Sequence, residues 1–373
     1  MIKKRRVIVT GDLLRLTHKD KVPSQNANIR WLHTLIRRPL TLATGSEPTI
    51  MLSDDDFDYK LFYEKCTVDA DISGWASLYE QETITPAALD MILAHFGDAL
   101  VIGFELNAVF RRAFELLDIP YIDCVIHPVR FLDDLLFGFT TNVPEIYEAL
   151  MPMRYDEENM YLAAAAIEAA VVREGPLLPD DISVLAMGQT SDDKTIILDG
   201  RLRGWGEFKN TMRELVPANR RVAFKPHPYS QTEVDIYNTG LLHHQIFETN
   251  HNFYKLLSQP QIETVVSLSS STSIEARYFG RKGVHLLKEP FDFAMSDDDG
   301  FVRDRYVSVY DQWLGANFWR TVLRPVIDTT ANDSRLIEPS RNRLRISLNA
   351  FWGFNEVSID RMIAPGLRKA LAR

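Results

Sequence analysis

Cysteine is almost absent from this chain. Its 373 residues include 2 cysteines, Cys66 and Cys124, and no CxxC pair. That excludes a disulfide scaffold and the common zinc and redox signatures, and it makes a reducing cytoplasm the expected setting. A surplus of positive charge is also missing: 42 Lys+Arg against 51 Asp+Glu give a net charge of −9. Such a balance argues against a protein that coats nucleic acid, and no nucleic-acid partner is expected. No run reaches the ~18 apolar residues of a membrane-spanning helix. The longest, residues 162–172, is broken by Glu168. The opening MIKKRRVIVTGD has a basic start and the short apolar core VIV. That core is too short for a signal peptide and reads as a first β-strand behind solvated charge. The basic start still allows peripheral contact with an anionic membrane surface on the inner, cytoplasmic side. Also missing are GxGxxG, a Walker loop, HExxH and a nucleophile elbow. The acidic runs at 53–56 and 296–299 lack the spacing of a metal loop and read as solvated acidic loops.

What remains is ordinary globular composition, 46% hydrophobic and 25% charged, in a chain long enough for two domains at ~150 residues each. In the first half, residues 28–38 (NIRWLHTLIRR) and 86–96 have helical spacing. Residues 98–104 (DALVIGF) form a continuous apolar run, as expected of a strand covered on both faces. A helical stretch at 107–117 and a strand at 120–126 (PYIDCVI) complete a strand–helix–strand unit. Residues 155–174 read as one long Ala-rich helix, followed by the linker-like GPLLPDD. The second half alternates: strands at 183–187, 221–224, 245–248, 264–268 and 283–287, with helices at 205–215, 253–257 and 271–279 between them. Strands separated by helices predict a parallel, doubly wound sheet, with ligands at the carboxyl ends of its strands. The expected fold is thus α/β with two Rossmann-type domains, residues 1–178 and 179–345, facing a cleft. A helical segment at 346–373 is expected to pack back on the first domain.

Five groups of residues fall at predicted strand ends. In TVVSLSSSTSIEARYFG, an apolar strand runs into Ser269, Ser270, Ser271 and Thr272, where a helix begins. Such a start can hold a phosphate, with Glu275 accepting from a ribose hydroxyl, or the residues can simply cap the helix. Lys225-Pro226-His227-Pro228 follows the strand RVAF. Flanking prolines hold His227 at the sheet edge, where it either donates to a phosphate leaving group or plugs a turn. Gln189-Thr-Ser-Asp192-Asp193 follows SVLAMG. One of its aspartates can serve as nucleophile or base, or the pair is an acidic surface loop. Glu105 ends the strand at 98–104, as a general base or, with Asn107, as a cap. His127 and Arg130 end the next strand; Arg130 either binds an anion or pairs with Asp133 or Asp134.

In this order on successive strands, GQTSDD, FKPHP and SLSSSTSIEA resemble the bacterial capsule and O-antigen β-Kdo transferases of the KpsC/KpsS and WbbB type. The stretch VIGFELNAVFRRAFELLDIPYIDCVIHPVRFLDDLLFGF is similar to the WbbB-type module, and the resemblance covers residues 99–287. It implies a GT-B-like fold, CMP-β-Kdo as donor substrate, a glycan acceptor (free or lipid-linked), no metal, and retention through two displacements. It also implies contacts with other glycan-assembly enzymes. Carried over, Asp193 is the nucleophile, with Asp192 its rival. His227 stabilises the departing CMP phosphate, the serine cluster with Gln189, Lys225 and Glu275 holds the donor, and Glu105 deprotonates the acceptor. His127 and Arg130 are expected to meet the acceptor or the sugar carboxylate. The alternatives are an inverting CMP-sialic-acid-type transferase, a non-catalytic glycan-assembly module and, more distantly, a sugar-nucleotide epimerase.

Overall fold

The computed structural model describes residues 5–16, 25–172, 175–227, 236–331 and 342–348. Two sheets organise them. The first contains β1 (Arg6–Gly11), β2 (Thr49–Ile50), β3 (Ala99–Phe104), β4 (Tyr121–Ile126) and β5 (Phe137–Thr141). The second is built from β6 (Ile182–Met187). A small antiparallel pair, β7 (Ile197–Leu198) and β8 (Arg201–Leu202), follows outside it. The second sheet then adds β9 (Arg221–Lys225), β10 (Ile246–Glu248), β11 (Thr264–Ser267) and β12 (Lys282–His285). The chain then returns to the first sheet as β13 (Asp292–Phe293) and β14 (Arg305–Val309).

The apolar run at β3 does what a strand buried on both faces must. Ile8, Ala99 and Val101 pack into a core with Phe57, Phe62 and Trp75. Their neighbours Val7, Val9, Leu100, Ile102 and Phe104 point the other way, to Trp313 and Trp319. The period of two delivers alternate side chains to the two covering layers. The order β2-β1-β3-β4 is parallel, whereas β5 is antiparallel to β4 and β14 antiparallel to β5. The second sheet, β10-β9-β6-β11-β12, is parallel throughout.

Three differences from the sequence reading have physical causes. The helix predicted at 28–38 runs from Asn26 to Thr44, straight through Pro39. Pro39 forfeits a hydrogen bond, but Leu40 and Ala43 beyond it are fully buried, and the helix stops only at Gly45, whose φ is 73°. The second difference is that β13 and β14 return to the first sheet instead of extending the second. β14 adds an antiparallel edge to β5, pairing Val307 with Phe139, so its affinity is for the first sheet. Third, the segment expected at 346–373 begins inside the helix Arg343–Leu348, and from 349 onward it lies outside the described residues. The Asp134 carboxylate accepts from Leu344 N (2.9 Å) and Arg345 N (3.0 Å) at the start of that helix. Arg345 is fully buried and donates to the carbonyls of Arg130 (2.6 Å) and Leu132 (2.9 Å).

The helix that starts at the serine cluster lies hard against β12: a Cβ at Gly283 would land on the Ser273 carbonyl oxygen. Backbone cannot retreat as a side chain can. Gly283→Ala is therefore expected to cost at least the ~1–3 kcal/mol usual for overpacking, seen as a lowered denaturation midpoint. A midpoint equal to the parent's would show that the strand and helix are not in this contact.

Candidate active site

In the second sheet the chain builds outward from β6 through β9 to β10, then crosses to the other side of β6 for β11. The β6/β11 boundary is therefore a topological switch point, where the loops beyond the two strands diverge and leave a crevice. Gln189 from one loop and Ser269 from the other meet there. Gln189 Nε2 lies within hydrogen-bonding reach of Ser269 Oγ (2.9 Å), Thr195 Oγ1 (2.9 Å) and Asp193 Oδ2 (3.3 Å). Its Oε1 accepts from Ser269 N at 3.1 Å. Asp193 Oδ1 accepts from both the N–H and the hydroxyl of Thr195, each at 2.9 Å, and so caps the turn Lys194–Ile196. Asp192 takes a different part: its carbonyl accepts from Arg15 of the first half at 3.1 Å.

His227 closes in from β9. Gly188 N donates to Lys225 O at 2.9 Å, and a Cβ at Gly188 would sit 2.7 Å from His227 N, so this approach requires glycine. Burial holds the His227 imidazole below its ordinary value, and Arg130 and Lys225 act in the same direction, while Asp193 opposes them. Pro228 lies outside the described residues. At the serine cluster, Ser270 caps the helix Ser271–Tyr278 by accepting from Thr272 N, and its carbonyl meets His285 Nε2 at 3.0 Å. Thr272 Oγ1 in the first turn is buried and makes no hydrogen bond among the described residues.

The first sheet contributes a second set of strand ends. Glu105 follows β3 with a φ of 54°, the left-handed region that costs a non-glycine residue on the order of 1 kcal/mol or more. That turn aims its carboxylate across the gap, where Oε2 lies 3.4 Å from Lys194 Nζ. Burial alone would lower the Lys194 ammonium, but Glu105, Tyr79 and Asp123 together hold it above its ordinary value. Asn107 caps the following helix through Val109 N (3.0 Å). Between the two sheets lies a cavity of about 850 Å³, lined by Lys194 and Thr195 on one side and Leu106, Arg111, Asp123 and Tyr306 on the other.

Two buried aspartates at this edge were missed in the sequence reading. Asp12, just past β1, is 1% exposed and accepts from Leu14 N (2.9 Å), Trp75 Nε1 (3.3 Å) and Asn107 Nδ2 (3.2 Å). Asp123 lies within β4. Its Oδ1 accepts from Leu106 N (2.8 Å) and its Oδ2 lies 3.3 Å from Tyr306 Oη and 3.9 Å from Arg111. Burial pushes Asp123 up to about 6, with Arg111 pulling against it. The signal was available: an aspartate inside the apolar run PYIDCVI is out of place unless it has partners or a task.

His127, Arg130 and Glu275 depart from expectation. His127 is 3% exposed, its Nδ1 accepts from Val129 N (3.0 Å), and its ring lies 4.2 Å from that of Phe293. Burial, aided by Arg130, pushes it down to about 3, so at pH 7 it brings no positive charge to a sugar carboxylate. Glu275 is 2% exposed rather than open to a ribose. Its Oε1 accepts from Arg130 N and from Tyr254 Oη, each at 2.8 Å. The Arg130 segment thus joins the two halves through its backbone. Asp134, offered as a pairing partner for Arg130, is instead taken up by the helix start at Leu344 and Arg345.

No protein-family model and no curated protein matches the chain. Among solved structures it is similar to the β-Kdo 2,7 transferase of Thermosulfurimonas dismutans KpsC, with a TM-score of 0.32 and 14% identity over 53% of this chain and 68% of that one. It is also similar to the β-Kdo 2,4 transferase of the same KpsC, with a TM-score of 0.32 and 18% identity over 48% of this chain and 66% of that one.

Burial pushes Glu275 up to about 7 from its ordinary 4.5. A carboxyl raised in the fold stabilises fully below about pH 4.5, and the contribution is lost as pH rises through 7. Glu275→Gln keeps the accepting oxygen and removes the titration. Between pH 5 and 7.5 the variant is expected to gain up to about 3 kcal/mol on the parent in denaturant unfolding. An equal difference at both pH values would refute a raised Glu275.

Proposed function

We propose that the chain is a glycosyltransferase that moves Kdo from CMP-β-Kdo to a hydroxyl of a glycan acceptor. The observation that carries this reading is the knot of Gln189, Asp193, Thr195 and Ser269 at the switch point of a parallel sheet, with His227 and Lys225 beside it. The resemblance of GQTSDD, FKPHP and SLSSSTSIEA to the β-Kdo transferases, noted from sequence alone, supplies the donor class.

The chemistry follows from the geometry. Thr195 holds Asp193 Oδ1 twice, and Gln189 holds Oδ2 by a longer contact, so Oδ2 is the oxygen presented for attack. Attack on the anomeric carbon forms an ester bond as the bond to the CMP phosphate breaks, and the electron pair leaves with CMP. His227 donates to the departing phosphate, while the helix N-terminus at Ser271 and the orphan Thr272 hydroxyl meet its oxygens. The acceptor hydroxyl then attacks the same carbon, the ester breaks, and the Asp193 carboxylate returns. Two inversions give net retention. Glu105 takes the acceptor proton, released from Lys194 as that ammonium turns to the substrate.

One observation favours a second reading. Asp193 is already employed as the cap of a turn, a role compatible with inverting transfer in which it only shapes the site and Glu105 alone is the base.

Thermal denaturation with CMP, UMP, UDP and GDP tests the donor class. CMP at about 100 times its dissociation constant should stabilise the fold by ~2.7 kcal/mol, and stabilisation by UDP alone would overturn the reading. Intact-mass analysis then separates the two routes. The wild type incubated with CMP-β-Kdo should gain one sugar residue, and Asp193→Asn should gain none and lose at least a thousandfold in turnover. If Asp193→Asn turns over within tenfold of wild type, the covalent route is wrong.

A further inference from the structure

A second cavity, of about 490 Å³, lies on the far side of the crossover that carries the chain from β12 to β13. Glu289, Phe291 and Asp292 line both cavities, so a single stretch of chain forms the wall between them. The second cavity is aromatic. Tyr161 and Tyr278 approach within 4.9 Å at 59°, and Phe293 and Tyr155 also line it. Tyr161 is 44% exposed and Met295 51% exposed at its margin, an unusual outlay of apolar surface beside an open pocket.

The charged groups here are spent on one another. Arg277 holds both oxygens of Glu289 (2.9 and 2.6 Å), Arg154 holds Asp297 (2.6 Å), and Arg305 holds Asp292 (3.0 Å). The Tyr278 hydroxyl donates to Glu157 at 3.1 Å. His127 is neutral, as shown above. Such a lining offers no net cation to a phosphate or nucleotide, and its ion pairs and tyrosine hydroxyls set it apart from an all-apolar lipid channel. Aromatic side chains beside paired polar groups match a sugar, whose C–H face is apolar and whose hydroxyls lie around its rim.

We propose that this cavity is a second binding site, for a neutral sugar ring of an oligosaccharide whose chain continues over the wall at Phe291 into the larger cavity. That the oligosaccharide is the acceptor rests on the transfer reading above; the site itself does not. Tyr161 is its platform. Because that ring is half exposed at the margin, replacing it leaves the fold and the first cavity intact.

The test is retention on a printed array of neutral and acidic oligosaccharides, with the CMP thermal shift measured in parallel. Wild type is expected to retain neutral glycans. Tyr161→Ala should weaken retention at least tenfold, Tyr161→Phe should stay within threefold of wild type, and both should keep the wild-type CMP shift. Failure of wild type to retain any neutral glycan would overturn the proposal, as would retention undiminished in Tyr161→Ala. Retention of acidic glycans alone would do the same, and so would a dimer that Tyr161→Ala dissolves. A wild type that retains neutral glycans but gives no CMP shift would leave this site standing and remove the CMP donor.

Discussion

The site depends on a single side-chain amide. Gln189 sits in the loop beyond β6 and bridges the switch point: its Nε2 reaches Thr195 in its own loop and Ser269 in the loop beyond β11, and its Oε1 accepts from Ser269 N. Remove it and Ser269, Thr195 and Asp193 lose their common partner together. Buried polar networks behave in this way because each member is satisfied only while the others stay in place. The same turn that Asp193 caps carries Lys194 outward to Glu105. The orientation of one carboxylate in the second sheet and the pairing of another in the first are therefore set by one turn of three residues.

Burial, rather than charge pairing, sets the electrostatic character of this region. Asp12, Asp123 and Glu275 are each nearly inaccessible, and desolvation is the largest influence on all three. Each is nevertheless held by backbone or side-chain donors, which offsets part of the cost of keeping a carboxyl out of water. Glu275 shows what this arrangement achieves. It reaches from the helix that begins at the serine cluster to the backbone of Arg130, and the Arg130 carbonyl is in turn gripped by Arg345. A sequence reading naturally offers a glutamate near a helix start to a ligand or a cap. Here it is spent on joining the two halves, because the partner loop lies far away in sequence and close in space.

What was legible in the sequence was what local pattern encodes. The apolar runs at β3, β4, β6, β9 and β11 and the helix Pro86–Phe96 were read within a residue or two, since each carries a full period and a clear stop. Gln189, Asp193 and Ser269 were legible as strand-end residues, and the structure brings them into contact. The rest turns on tertiary choice. Pro39 reads as a stop, yet the helix passes through it because the buried face continues. Strand β5 follows a loop of mixed residues and pairs antiparallel, which nothing in its five residues announces. The histidine at 127 looks like a ligand group in the sequence HPVRF, and only its burial in the fold, with Arg130 nearby, pushes it down to about 3.

The least legible segment is also the one that divides the space available to ligands. The crossover at residues 289–293 belongs to no periodic element beyond the two residues of β13, yet it walls off both cavities. Its ion pairs cannot hold it alone. Arg277 and Glu289 are 44% and 42% exposed, and such pairs are typically worth ~0–1 kcal/mol. Aromatic packing does more. Phe293 lies 4.2 Å from His127 and 5.7 Å from Tyr306, and Phe291 stands edge-on to Tyr306 at 5.7 Å. Room for Phe293 exists only because residue 138 is glycine, where a Cβ would come within 2.7 Å of the ring. A missing side chain in β5 thus seats the ring that anchors the wall. The same ring packs on His127, so the wall's anchor is also part of what keeps that imidazole from solvent.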